Sequence, residues 1–170
     1  MVKQQYFASF PSLTSFFNYR ISLAGNRDKQ TIKELVFSVL LEHGLVGGGP
    51  TDEDLEDIES HFFDNGGFFA LIKDPEDRII GTFGLHVKNA STAEIRKMYL
   101  YSDHRGRGLG KMMMNYIFQF AQLNGIKRLE LETNAVLDKA LHLYRKIGFK
   151  PVHHDQLSPR CDQAYYLDLH

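Results

Sequence analysis

Residues 99–111 read YLYSDHRGRGLGK. The stretch opens on the end of an apolar run (Ile95, Met98, Tyr99, Leu100, Tyr101) and passes through a polar turn. Glycines then stand at alternate positions, Gly106, Gly108 and Gly110, before a helical pattern starts at Lys111. Strand, glycine turn and helix in this order aim a row of backbone N–H groups at an anion. Glycine lets the backbone approach closely, and a helix start brings four unpaired amides and the positive end of its dipole. Arg105, Arg107 and Lys111 add positive side chains. The chemistry suggested is pyrophosphate binding, against the alternative of a glycine-rich turn with solvated arginines.

Spacing separates the phosphate loops that share this outline. A P-loop needs a hydroxyl after its lysine, and Lys111 is followed by Met112. The dinucleotide fingerprint G-x-G-x-x-G is not met by G-x-G-x-G, and the acidic residue expected about 20 positions on is missing. Arg105-Gly106-Arg107-Gly108-Leu109-Gly110 instead resembles the [QR]-x-x-G-x-[GA] loop of the GNAT N-acetyltransferase superfamily, which holds the pyrophosphate of coenzyme A. A second stretch, Leu143-Tyr144-Arg145-Lys146-Ile147-Gly148-Phe149, resembles the L-Y-x-x-x-G-F signature of the same superfamily. One helix and one strand separate the two, in the family's order. With the strand around Glu94–Tyr101 the resemblance covers roughly residues 78–153.

The resemblance implies an α/β GNAT acyltransferase fold: a mixed, twisted sheet of about seven strands with helices on both faces. It implies an N-acetyltransferase that moves acetyl from acetyl-CoA to a primary amine of a small molecule or peptide, by direct attack in a ternary complex. Residues Arg105, Gly106, Arg107, Gly108, Leu109, Gly110 and Lys111 would cradle the pyrophosphate with their backbone amides. Met98, Tyr99 and Leu100 would meet the pantetheine arm, where a family bulge splays two parallel strands; an amide fixed there would stabilise the oxyanion. Tyr144 would protonate the departing thiolate, thiol and phenol having unperturbed pKa values of about 8.5 and about 10; its alternative is a core aromatic. Glu94 would serve as general base, or else pair with Arg96.

One position departs from the pattern. Where the family often has asparagine, seven residues before the tyrosine, this chain has Leu137. Asn134 is the candidate replacement, with a turn or helix N-cap as its other reading. Lys139 and Lys146, with Arg145, are candidates for the adenosine phosphate. Similar chains carry Arg-Cys-Asp in the last loop, so Arg160-Cys161-Asp162 is a substrate-contact candidate; Cys161 as a nucleophile would need a base and a lowered pKa, and it reads instead as a small buried residue. No metal is expected, His153-His154 being too short a cluster. Two rivals stay open: a non-catalytic coenzyme A-binding sensor or interaction module, and an acyltransferase using another donor.

Composition sets the outer bounds. The chain has 170 residues, 43% apolar and 24% charged, with net charge −1. That balance suits a globular domain and gives no basic field for nucleic acid or an anionic membrane. The lone Cys161 excludes an internal disulfide, no apolar run approaches the roughly 20 residues of a membrane span, and no clean signal sequence opens the chain. A cytoplasmic protein is expected, and homodimerisation is left open. Residues 1–18 read as an N-terminal extension of uncertain order, and 19–170 as a single acetyltransferase domain.

Along that domain, Tyr19–Ala24 alternates like a strand and Asp28 is placed to cap a helix through about Glu42. The apolar residues of that helix, Ile32, Leu35, Val36, Val39 and Leu40, share a face. Thr51 would cap a short second helix whose segment DEDLEDIE holds six acids in eight residues. It reads as a solvated face or as an acidic rim for a cationic amine. Strands are expected at Phe68–Lys73, Arg78–Val87 and Thr92–Tyr101, with Gly81 and Gly84 marking a bulge or close approach. A helix from about Gly108 to Asn124 would bury Met113, Met114, Ile117, Phe118 and Ala121. Lys127–Glu132, Phe149–His153 and Ala164–Leu169 complete the strands, and Val136–Ile147 the helices.

Overall fold

The computed structural model describes residues 9–12 and 15–170; residues 1–8 and 13–14 of the expected extension lie outside the described residues. The elements are β1 (Ser15–Phe16), β2 (Tyr19–Leu23), α1 (Lys29–Glu42), β3 (Phe68–Lys73), β4 (Ile79–Asn89) and β5 (Thr92–Leu100). They continue as α2 (Leu109–Leu123), β6 (Arg128–Thr133), α3 (Asp138–Ile147), β7 (Lys150–Val152) and β8 (Gln163–Asp168). The strands form one sheet in the order β1-β2-β3-β4-β5-β6-β8-β7. Every pairing is antiparallel except β5 with β6, which α2 joins as a crossover. The sheet thus has one strand more than the seven expected, the two-residue β1 that pairs with β2.

Strand β3 shows how the two layers are held. Its whole run is apolar up to Lys73, and successive side chains leave on opposite faces. Phe68, Ala70 and Ile72 join the core under α2, with Met113, Tyr116, Ile117 and Phe120. Phe69 and Leu71 join the core under α1, with Ile32, Val36 and Leu40. Helices therefore cover both faces. On α2 the inward positions fall to Tyr116 and Phe120 beside the expected Met113, Met114, Ile117 and Ala121, while Phe118 is only half-buried. A residue five positions after Met113 lies off the inward stripe, since a helix turns every 3.6 residues.

Two further expectations are refined. The segment after Gly49 is not one helix capped by Thr51. It is a 3₁₀ turn, Pro50–Leu55, followed by a single π turn, Glu59–Phe63. The split lets Leu55, Ile58 and Phe62 all reach the core under α1. Gly84 is a close-approach site: a Cβ there would stand 2.8 Å from Phe62 and 2.9 Å from Phe69. Among the described residues no helix is long and apolar enough to cross a membrane.

Candidate active site

The site begins with a fault in β5. Arg96 pairs with Gly84 and Tyr99 with Thr82, so Lys97 and Met98 together face the single residue Phe83. This is a β-bulge, two residues opposite one. Lys97 takes a left-handed backbone, φ +54, which costs a non-glycine residue about 1–3 kcal/mol. Two contacts hold it there. Thr82 Oγ1 donates to the Lys97 carbonyl at 2.7 Å, and the Lys97 ammonium is buried among acids. In a regular strand Arg96 and Lys97 would point to opposite faces. Here both reach Asp54, at 3.7 and 3.2 Å. Met98 then turns toward the α2 core.

The acids meeting Lys97 come from the DEDLEDIE segment. Asp52 lies 2.9 Å from its Nζ and also accepts two hydrogen bonds from Arg160, at 2.7 and 2.9 Å, and one from the Gly48 amide, at 2.7 Å. Burial pushes the Asp52 carboxyl up, but Arg160, Lys97 and Gly48 together outweigh it and bring its pKa down to about 2. Asp52 and Asp54 are thus buried counter-ions, while Glu53, Glu56, Asp57 and Glu59 are exposed. Neither a wholly solvated face nor a continuous acidic rim describes the segment.

Beyond the bulge the sheet opens. The parallel ladder runs from Thr92↔Arg128 to Ile95↔Leu131 and ends there, although β5 continues to Leu100 and β6 to Thr133. The gap leads into a cavity of about 550 Å³, walled by Glu94–Leu100 of β5, the end of β6, the glycine loop, α3 and the last loop. At its mouth α2 begins. Gly106 and Gly108 adopt φ +74 and +82, the left-handed turn that glycine makes without a Cβ penalty. Met112 is the first residue of this turn whose amide reaches a helical acceptor, Gly108 O at 3.1 Å, among the described residues. The amides before it carry the positive end of the helix dipole.

The loop's arginine side chains, expected to add charge beside the amides, have partners within the protein. Arg105 donates to the Leu100 carbonyl from Nε and Nη2, at 3.0 and 2.8 Å, and pairs with Glu42. Arg107 donates to Tyr19 Oη and the Asp103 carbonyl, at 3.0 and 3.1 Å. They tie the loop to α1 and β2, so anion-binding capacity rests on backbone amides. Gly106 and Gly110 line the cavity, as do Met98, Tyr99, Leu100 and Arg105. Arg107, Gly108, Leu109 and Lys111 stand outside its wall.

Tyr144, on α3, is buried, and its hydroxyl points at Met98 Sδ across 3.6 Å. Gly148, left-handed at φ +114, ends the helix one turn later. Burial, with the neighbouring Tyr99, holds the Tyr144 phenol well above the ordinary tyrosine range, so it stays protonated. Burial likewise pushes Tyr99 up to about 12. Glu94 lines the cavity with both oxygens on Arg96, at 2.8 and 3.4 Å. Asn134 also lines it, but donates to the Arg160 carbonyl and accepts from the Val136 amide, a turn that ties β6 to the last loop. Lys139 reaches the wall; Lys146 is exposed on α3 away from it.

Local reading missed Lys97, Asp52 and Asp54, and cast Arg160 as a substrate contact where it grips Asp52. A lysine inside an otherwise inward-facing strand position is the one local sign; its partners Asp54 and Asp52 lie 43 and 45 residues away, and Arg160 meets Asp52 across 108 residues. Glu132 is a further cavity carboxylate, accepting from the Ser158 amide and hydroxyl at 3.0 and 2.6 Å. Cys161 lies in the same wall. Burial and then the Glu132 charge push its thiol up to about 11, so it is not an activated nucleophile.

Comparison with known proteins agrees with this geometry. The model of the acetyltransferase (GNAT) family matches residues 37–149, more than half of the chain. An uncharacterised N-acetyltransferase of Escherichia coli (strain K12), YjgM, is 28% identical over 132 residues, covering 74% of this chain and 78% of that protein. Human N-acetyltransferase 8B is 26% identical over 102 residues, covering 57% of this chain. The chain spans only 45% of that relative's length. A GNAT-family acetyltransferase from Staphylococcus aureus Mu50 superposes with a TM-score of 0.83 at 22% identity, over 89% of this chain and 99% of that one. That likeness is one of fold, and with the family match it places this protein: the chain belongs to the GNAT acetyltransferase family.

Proposed function

We propose that the protein is an acetyl-CoA-dependent N-acetyltransferase acting on a primary amine. The observation that carries this reading is the end of the β5–β6 ladder at Ile95/Leu131, which opens a slot between the α2 amides and the Tyr144 phenol. Acetyl-CoA, when bound, supplies an activated acetyl thioester with a thiolate leaving group. The residues fit such a molecule: the amides of Gly106–Gly110, without backbone acceptors among the described residues, suit a pyrophosphate, and an apolar gap past Met98 suits a pantetheine arm.

The chain's own groups then act in order. The bulge fixes the backbone at Met98, where an amide held without reorganisation stabilises oxyanion charge on the acetyl carbonyl. Tyr144, protonated at neutral pH, donates its phenol proton to the departing sulfur. The Asp52–Arg160 clamp closes the acceptor side of the cavity. Calorimetric titration with acetyl-CoA, beside dephospho-CoA and ATP, tests the reading, followed by free-thiol release over a panel of primary amines. Binding of acetyl-CoA in preference to ATP, with thiol release on amine addition, is expected. Absence of acetyl-CoA binding overturns it.

A further inference from the structure

The carboxylates in the cavity wall are not equivalent. Asp54 faces Lys97 and Arg96, and Glu94 is held on both oxygens by Arg96. Glu132 forms no ion pair among the described residues. Its Oε2 accepts both Ser158 bonds, from the amide and from the hydroxyl, and its Oε1 has no recorded partner. It occupies the first β6 position beyond the parallel ladder, where Arg96 would have been its neighbour had the ladder continued. On its other side it pairs with Ala164 of β8. Alternation along β6 puts Leu131 in the α2 core and Glu132 on the opposite face, the one shared by Glu94 and Arg96. Also in the wall are Lys97 of β5 and Arg160, Cys161 and Ser158 of the last loop.

We propose that Glu132, rather than Glu94, binds the ammonium group of the acceptor amine and accepts its proton; this rests on the acetyl-transfer reading above. A half-buried carboxylate that is hydrogen-bonded but has no direct ion-pair partner among the described residues, with Arg96 nearby yet committed to Glu94 and Asp54, is the place in this cavity where a cation replaces lost solvation. Glu94 cannot do so without releasing Arg96. In the step, the ammonium nitrogen gives one proton to Glu132 Oε1, directly or through one water. The freed lone pair forms the N–C bond to the acetyl carbonyl carbon, the C–S bond breaks with the thiolate taking the Tyr144 proton, and the acylated nitrogen gives its surplus second proton to water to become the amide N–H. Exchange with solvent then restores both side chains.

Cys161 offers a reporter that needs no knowledge of the natural acceptor. With propylammonium chloride as probe, and potassium chloride at equal ionic strength as control, alkylation of Cys161 by iodoacetamide is followed in the full chain. Propylammonium, which both covers the thiol and neutralises the charge that raises it, is expected to change the alkylation rate saturably in the wild type and in Glu132→Asp, and to have no effect in Glu132→Gln. Amine turnover by Glu132→Gln is expected to fall about a hundredfold or more, recovering as pH rises and free amine accumulates. Acetyl-CoA titration of each variant checks that the cavity is intact. An equal change in Glu132→Gln, or none in a wild type that binds acetyl-CoA, overturns the proposal. Failure of the wild type to bind acetyl-CoA overturns the acetyl-transfer reading instead.

Discussion

Arg160 grips Asp52 across 108 residues of sequence, Nη1 to Oδ2 at 2.7 Å and Nη2 to Oδ1 at 2.9 Å. Planar guanidinium and carboxylate match edge to edge, and both side chains are withdrawn from solvent. On its other side Asp52 holds the ammonium of Lys97, the bulge residue. One carboxylate therefore links the last loop to the strand that opens the site. Removing it strands two buried cations, and such losses cost about 3–5 kcal/mol. Asp52→Asn is expected to fall in that range by denaturant unfolding, toward the low end because Asp54 still faces Lys97.

The same carboxylate makes stability acid-sensitive. Its folded pKa, about 2, lies below the ordinary 3.8, so the unfolded chain takes up the proton first. The stabilisation is present in full above the ordinary value and is lost as pH falls through the folded one. Thermal melts between pH 5 and pH 2 are expected to show the gap between wild type and Asp52→Asn narrowing only below about pH 4. A gap that stays constant to pH 2 would show that Asp52 is not the group that titrates.

At Lys97 backbone and side chain oppose each other. Its left-handed φ suits glycine, while its ammonium needs Asp52 and Asp54. Lys97→Met keeps the strain and loses the ion pairs; Lys97→Gly loses the pairs but relieves about 1 kcal/mol or more of strain. The glycine variant is expected to be no less stable than the methionine one, against glycine's usual penalty in a strand. Both are expected to weaken acetyl-CoA binding, measured by calorimetry, because the bulge is no longer pinned.

Tyr144→Phe separates binding from chemistry. The ring fills the same space against Phe149 and Met98, so the fold and acetyl-CoA affinity are expected to survive. Without the proton donor, kcat is expected to drop about a hundredfold, the size typical of a lost general acid. Because burial holds this phenol well above the ordinary range, wild-type kcat should show no fall near pH 10 from its ionisation. Unchanged turnover in Tyr144→Phe would remove it as the acid.

Gly108→Val places a β-branched residue at φ +82, immediately before α2, with Phe16 3.4 Å from the new Cβ. The turn must reshape, taking the unpaired amides with it. Loss of acetyl-CoA affinity is expected, with circular dichroism close to wild type. Retained affinity would show that these amides do not bind the phosphates.

What could be read from the sequence alone was what short range decides. Glycine at Gly106, Gly108 and Gly148 is tied to left-handed turns by its own φ freedom. An apolar run before such a turn and a periodic one after it define strand and helix without outside help, and they placed β5 and α2; Tyr144 stood out only through the resemblance of residues 143–149 to a family signature. The face of α1 was equally plain in its spacing of three and four. Tertiary structure decided everything that depends on a distant charge. Asp52 and Asp54 looked like solvated acids because Lys97 and Arg160, which bury them, come from other elements. The side-chain charges of Arg105 and Arg107 looked unpaired because Glu42 and Tyr19, which occupy them, lie 63 and 88 residues away. Glu132 Oε1, without a partner among the described residues, belongs to the first β6 residue beyond the ladder, a place that only the register of two distant strands defines. A local pattern records a residue's conformational preference, whereas its electrostatic partner is known only once the chain has closed on itself.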